Sequence, residues 1–301
     1  MLKRIRGAVV PGSVVIIFLL SMPGDGFSWG FWAHRAINRS AVDTLPPEVR
    51  PFFEFYRDSL TAHAVDADRR RFSDRNEGFY HYINIDRYGK FPFVELPHSY
   101  AEAAAKFGKS IVDSNGTVPW RVAEFTAKLS EAMKAQDKER ILYYASNLGH
   151  YVADAHVPLH ATENHDGQMT NQKGIHARWE SRIPELYGEH YVLGHGSVEY
   201  FKSPLEEIFT VILESSALVD SVLSLDLKAR EGIPEGELMA GSQRRGRTVY
   251  EFSGVFFKRY HELLSGMVER RMNEASVRLA GFWYTAWIDA GKPDLSKLTK
   301  D

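Results

Sequence analysis

At 301 residues, with 44% hydrophobic and 25% charged residues, the chain has the composition of an ordinary globular protein, which excludes wholesale disorder. A formal net charge of −2 argues against a protein that coats DNA or a membrane through excess Lys and Arg. Cysteine is absent, so disulfides, thiolate zinc sites and cysteine nucleophiles are removed together, and 12 histidines remain.

Lys3, Arg4 and Arg6 precede an apolar stretch from Ala8 to Leu20, followed by a Gly-containing segment ending at Ser28. A basic start, a short apolar middle and small residues before a cleavage point are the marks of a secretory signal peptide. The apolar run is interrupted by Pro11 and Gly12 and is shorter than the roughly 20 residues that span a bilayer. Residues 1–28 therefore read as a removable leader, Trp29 as the new N-terminus, and the product as secreted or periplasmic. Cleavage leaves 34 basic against 38 acidic residues.

From Trp29 onward the periodicity is helical. Ala33 to Thr44 ends at Pro46-Pro47, and Glu48 to Leu60 clusters Phe52, Phe53, Phe55 and Tyr56 on one side. Ser99 to Val112 ends at the Asn115-Gly116 turn. Val118 to Lys134 and Lys138 to Ala155 predict an antiparallel helix pair. Ser203 to Leu223 and a long aromatic-rich stretch, Val249 to Trp287, supply later helices; Lys228 to Thr248, rich in Gly and charge, reads as a mobile loop, with Arg244, Arg245 and Arg247 as its solvated basic cluster. No alternating strand series is apparent. The expected architecture is a single all-α domain over 29–290, with a C-terminal tail, 291–301.

The chemistry concentrates in His150-Tyr151-Val152-Ala153-Asp154, then His160, then His176-Ala177-Arg178-Trp179-Glu180. A His and a carboxylate four residues apart share one helix face, and imidazole with carboxylate is a donor set for zinc. Pro158 should end the first helix and swing His160 out of line. Asp66, Asp68 and Arg69 to Arg71 concentrate charge upstream, and His81-Tyr82-Ile83-Asn84 follows. The remaining histidines, His63, His98, His190, His195 and His261, read as surface or core residues, while His156 and His165 read either as groups that orient ligands from behind or as surface residues.

Trp29-Gly30-Phe31-Trp32-Ala33-His34, Asp66 with Arg69, His81-Tyr82-Ile83, His150-x3-Asp154-x5-His160 and His176-x3-Glu180 occur in an order that resembles the zinc-dependent phospholipase C and S1/P1 nuclease superfamily. The resemblance runs from Trp29 to Glu180 and implies an all-α fold with three zinc ions in a cleft. Residue by residue, it implies one zinc on Asp66, His81, His150 and Asp154, and a second on His160, His176 and Glu180. The third would take the α-amine and carbonyl of Trp29, His34 and a shared Asp154. Asp68 rivals Asp66; the three-residue spacing to Arg69 favours Asp66.

The activity so implied is hydrolysis of phosphate esters by a metal-bound hydroxide, with Asp66 orienting it and Arg69 gripping a phosphoryl oxygen. Tyr82 and Asn84 fall at positions that stack on and hydrogen-bond a nucleobase, which with Arg69 favours an S1/P1-like nuclease acting on single strands and 3′-nucleotides. Glu180 stands where the nuclease branch usually carries Asp, which favours a phospholipase C acting on phospholipid head groups. Asn84 replaces the base-site acid, and the disulfides of well-known nucleases cannot form. A secreted helical protein with structural metals is the non-enzymatic alternative. No stable protein partner is implied, and a monomer is expected.

Overall fold

A computed structural model describes residues 30–244 and 247–299, so the leader and Trp29 lie outside the described residues. Seven helices of eleven or more residues carry the architecture among them: α1 (Phe31–Thr44), α2 (Val118–Lys134), α3 (Lys138–Ala155), α4 (Pro204–Ala217), α5 (Val219–Arg230), α6 (Gly254–Leu264) and α7 (Met267–Asp289). The all-α expectation holds. α2 and α3 form the antiparallel pair with the expected bounds, and α7 lies against α1, α2 and α3.

Helix starts follow local chemistry. The Asp137 side chain accepts from Arg140 N at 3.2 Å to open α3. Ser203 accepts from Glu206 N at 3.3 Å to open α4, with Pro204 in its first turn, where a missing N–H costs nothing.

Four readings of the sequence require correction. The stretch from Glu48 to Leu60 is two short helices, Arg50–Phe55 and Arg57–Ala62, broken at Tyr56, whose hydroxyl donates to Leu298 O at 2.6 Å. Ser99 to Val112 is interrupted at Gly108, which takes a left-handed φ of +89°. Ser203 to Leu223 divides at Leu218 into α4 and α5. The segment read as a mobile loop and the start of a long helix holds a two-stranded antiparallel hairpin, β1 (Met239–Arg244) with β2 (Arg247–Phe252), with Gly241 opposite Tyr250. Arg-Thr-Val-Tyr-Glu-Phe is β-branched and aromatic enough to favour a strand, and Ser265 and Gly266, both at positive φ, separate α6 from α7.

The C-terminal segment folds back on the helices: Trp287 Nε1 donates to Pro293 O at 2.9 Å, and Leu295 is buried.

One close approach positions the site. Gly149 on α3 faces α1; a Cβ there would collide with Asn38 Oδ1 and lie 2.8 Å from Leu279 Cδ2. Asn38 is buried, and its Nδ2 donates to Leu60 O and Ser146 O, each at 3.1 Å, so it cannot swing aside freely. With α1 and α3 this close, the rings of His34 and His150 stack with centroids 3.8 Å apart. Gly149→Ala should therefore destabilise the protein by about 1–3 kcal/mol through overpacking. The opposing gain in helix propensity is about 1 kcal/mol. Chemical denaturation would check the sign.

Candidate metal centre

Five buried or nearly buried imidazoles and three carboxylates converge from α1, α3 and the segments flanking them. α3 presents His150 and Asp154 one turn apart on one face. Pro158 ends the helical path, and the 3-10 turn Pro158–Ala161 delivers His160. Ile83 N donates to His160 O at 2.9 Å, tying the segment after His81 to that turn. His176 lies in the single turn Ile175–Ala177, and Glu180 in a π-turn, Arg178–Arg182, a form of helix frequent at functional sites.

The π-turn is held from two sides. Arg178 is buried and donates to Asp226 Oδ1, Lys173 O and Gln172 O, each at 2.9 Å. Gly30 N bonds to Glu180 O at 3.3 Å, and a Cβ at Gly30 would meet Ser181 Oγ at 2.9 Å.

The first cluster comprises Asp68, His81, His150 and Asp154. His81 Nδ1 lies 2.9 Å from Asp154 Oδ2 and 3.0 Å from His150 Nε2, which is 3.2 Å from the same oxygen. Asp68 Oδ1 stands 3.7 Å from His150 Nε2 and 3.8 Å from His81 Nδ1. A tetrahedral zinc with bonds of about 2.0–2.2 Å separates its ligand atoms by about 3.3–3.6 Å, and the edges here, 2.9–3.8 Å, bracket that spacing, so the cluster is of a size that could hold one ion.

The second cluster is a triangle: His160 Nε2 to His176 Nε2 at 2.9 Å, His176 Nε2 to Glu180 Oε2 at 3.0 Å, and His160 Nε2 to Glu180 Oε2 at 3.4 Å. Asp154 joins a third set, because its other oxygen, Oδ1, lies 3.6 Å from His34 Nε2. That set also includes His150.

These donors suit a cation. Both nitrogens of His34 and all four carboxylate oxygens of Asp154 and Glu180 are buried without a hydrogen bond of sound geometry, although buried polar atoms are normally satisfied.

The electrostatics agree. Burial pushes the Glu180 carboxyl up to about 7 and the His176 imidazole down to about 4, and holds His34 well below its ordinary value. Burial works against charge on His150 as well, yet Asp154 and Asp68 raise it to about 9. A divalent cation would replace the retained protons.

Asp66, expected as a ligand, is not in the cluster. Its side chain is 31% exposed and engages His63 Nδ1 at 2.6 Å and Arg69 Nη1 at 3.2 Å, whereas Asp68 is fully covered. Two residues along a helix rotate the side chain by about 200°, so only one of the pair can point inward. The same three-residue spacing leads from Asp68 to Arg71, whose Nη1 lies 3.9 Å from Asp68 Oδ1, and Arg69 accordingly sits outside with Asp66. Tyr82 is half-buried with its hydroxyl donating to Ser114 O at 3.2 Å, and Asn84 is half-buried two residues on. Trp29 lies outside the described residues. His156 is buried but turned away, its Nδ1 2.7 Å from Val152 O.

A helical scaffold carrying clustered imidazoles and carboxylates has the donor chemistry of a metal-binding protein. The chain matches the S1/P1 nuclease family model over residues 29–286 and belongs to that family, a zinc-dependent group of phosphodiester-hydrolysing enzymes. No curated protein matches it. Among solved structures it is similar to the alpha-toxin of Clostridium perfringens from an avian strain, with 13% identity and a TM-score of 0.49. That similarity covers 87% of this chain and 64% of the toxin chain, so this chain spans less than two thirds of the toxin's length.

Asp68→Asn should lower the zinc content of the purified protein, and Asp66→Asn should leave it unchanged. Plasma mass spectrometry of desalted protein reads both.

Proposed function

We propose that the protein is an exported nuclease that hydrolyses the phosphodiester bonds of single-stranded nucleic acid and 3′-nucleotides, using three zinc ions. The observation that carries this reading is Asp154, a buried carboxylate whose two oxygens face different sets of imidazoles. One ion would be held by Asp68, His81, His150 and Asp154, and a second by His160, His176 and Glu180. The third would be held by His34, Asp154 and the α-amine and carbonyl of Trp29. An α-amine has a pKa near 8 and can give up its proton to a metal, whereas an amide nitrogen in an uncleaved precursor is a poor ligand. Removal of residues 1–28 would thus complete the site. Members of the family are typically secreted, in keeping with export.

When bound, the ions supply water activation near neutral pH and charge neutralisation at phosphorus. The chain's own residues do the rest. Asp68, in the place first given to Asp66, orients the attacking water. Arg71, in the place first given to Arg69, is partly exposed beside Asp68 and can grip non-bridging phosphoryl oxygens through two N–H groups. Tyr82 stacks on a base, and Asn84 hydrogen-bonds its edge. Stacking of this kind is worth roughly 1–3 kcal/mol per base and favours unpaired strands.

A second reading, a phospholipase C acting on phospholipid head groups, is favoured by Glu180, since the nuclease branch usually carries Asp at that position. Both readings share the metal chemistry and differ only in what lies beside the phosphate.

Mature protein assayed side by side on single-stranded DNA, RNA, a 3′-nucleotide and phosphatidylcholine should prefer the nucleic acids; preference for the lipid reverses the order of the two readings. Tyr82→Ala should raise KM for single-stranded DNA roughly 5- to 150-fold, the equivalent of losing one stacked base. It should leave hydrolysis of bis-p-nitrophenyl phosphate unchanged.

A further inference from the structure

Behind His81, on the side away from the first cluster, stands a carboxylate that no motif in the sequence singles out. Glu77 is 3% exposed and lies four residues before His81, in the 3-10 turn Glu77–Tyr80. Its Oε1 accepts from the Tyr151 hydroxyl, and its Oε2 from Arg70 Nε at 3.1 Å. Arg70 Nη2 also donates to the Tyr151 hydroxyl at 3.1 Å, so carboxylate, phenol and guanidinium form a closed ring of contacts. The same Oε1 lies 3.6 Å from His81 Nε2, just beyond hydrogen-bond length and close enough for its charge to favour a proton on that nitrogen.

The two nitrogens of His81 therefore face opposite surroundings. Nδ1 is in the first cluster, beside Asp154 and His150, and Nε2 faces Glu77. His150 is arranged in the same way by a weaker partner: its Nδ1 is 2.8 Å from Ala64 O, which leaves Nε2 to the cluster. A neutral imidazole carries its proton on one nitrogen and a lone pair on the other, and the partner behind the ring decides which.

We propose that Glu77 is a positioning residue for the metal centre, holding the His81 proton on Nε2 so that the Nδ1 lone pair is offered to a cation, and thereby setting the affinity of the first cluster for zinc. Tyr151 and Arg70 keep the carboxylate in place. Tyr151 follows His150 directly in α3, so the helix that supplies one ligand also secures the group that orients another. This role rests on the reading of the first cluster as a zinc site.

The discriminating variant is Glu77→Gln, which keeps the shape and an acceptor for Tyr151 but removes the charge behind His81. Zinc affinity is measured by competition with a chromophoric chelator, and the His81 tautomer by imidazole 15N shifts of the zinc-loaded protein. Glu77→Gln should bind zinc about 10- to 100-fold more weakly than wild type, with a smaller share of the Nε2-protonated form. Affinity within twofold of wild type, with the tautomer unchanged, overturns the proposal and reduces Glu77 to an ion-pair partner of Arg70. If metal-free Glu77→Gln does not fold, Tyr151→Phe carries the same test, with zinc binding expected to weaken several-fold and an unchanged value counting against Glu77. A wild-type protein that takes up no zinc overturns the reading of the cluster itself, a result distinct from failure of the variant alone.

Discussion

The site depends on one buried carboxylate. Asp154 is fully covered, with one oxygen 2.9 Å from His81 Nδ1 and 3.2 Å from His150 Nε2, and the other 3.6 Å from both His34 Nε2 and His160 Nδ1. Four imidazoles from four separate segments thus meet one residue. An isolated buried carboxylate carries a desolvation penalty of several kcal/mol, so such a residue is tolerable only where positive charge is supplied. Histidines supply it partly and reversibly; divalent ions supply it fully. The Gly149 approach and the 3-10 turn Pro158–Ala161 bring imidazoles to this one group, and the π-turn brings Glu180 to the far nitrogen of His160.

Much of this was legible in the sequence because its determinants are local. His150 with Asp154 and His176 with Glu180 have helical spacing, and Pro158 announces the bend that frees His160; the structure brings all five together. α2 and α3 were legible for the same reason, being long, periodic and bounded by Pro119 and Asp137. What could not be read was anything decided by rotation or by distant contacts. Asp66 and Asp68 have the same three-residue spacing to an arginine, and only the placement of the short helix Asp66–Arg70 against α3 determines which points inward. Glu77 belongs to the same category, because its significance comes from Arg70 and from Tyr151, which lies 74 residues away in the chain.

The misread segments have a common physical origin. Helical periodicity continues through Tyr56, Gly108, Leu218 and Ser265-Gly266, yet the chain breaks at each. At Gly108 and at Ser265-Gly266 a left-handed backbone is the cause, and at Tyr56 the break accompanies a long-range bond to the C-terminal segment. The β1–β2 hairpin was concealed because its second strand joins directly to an aromatic helix, and a six-residue alternation is a weak signal beside a longer helical one. None of these breaks falls within α3, which is why the metal-binding pattern survived the errors around it.

The protonation pattern of the clusters connects fold to chemistry. Without cations, three carboxylates and five imidazoles in a small covered volume must share protons, and the sharing is uneven: Glu180 is pushed up to about 7 by burial, His150 is raised to about 9 by its acidic neighbours against burial, and His176 is held to about 4. Each raised group holds a proton that a metal ion would expel, while each lowered imidazole already offers a lone pair. Burial that would be a pure cost in a structural core therefore serves the centre, because it lowers the local dielectric in which cation and carboxylate attract one another. Glu77 is buried beside the cluster and Arg70 partly so, and their pairing balances from the solvent side the charge of the carboxylate behind His81.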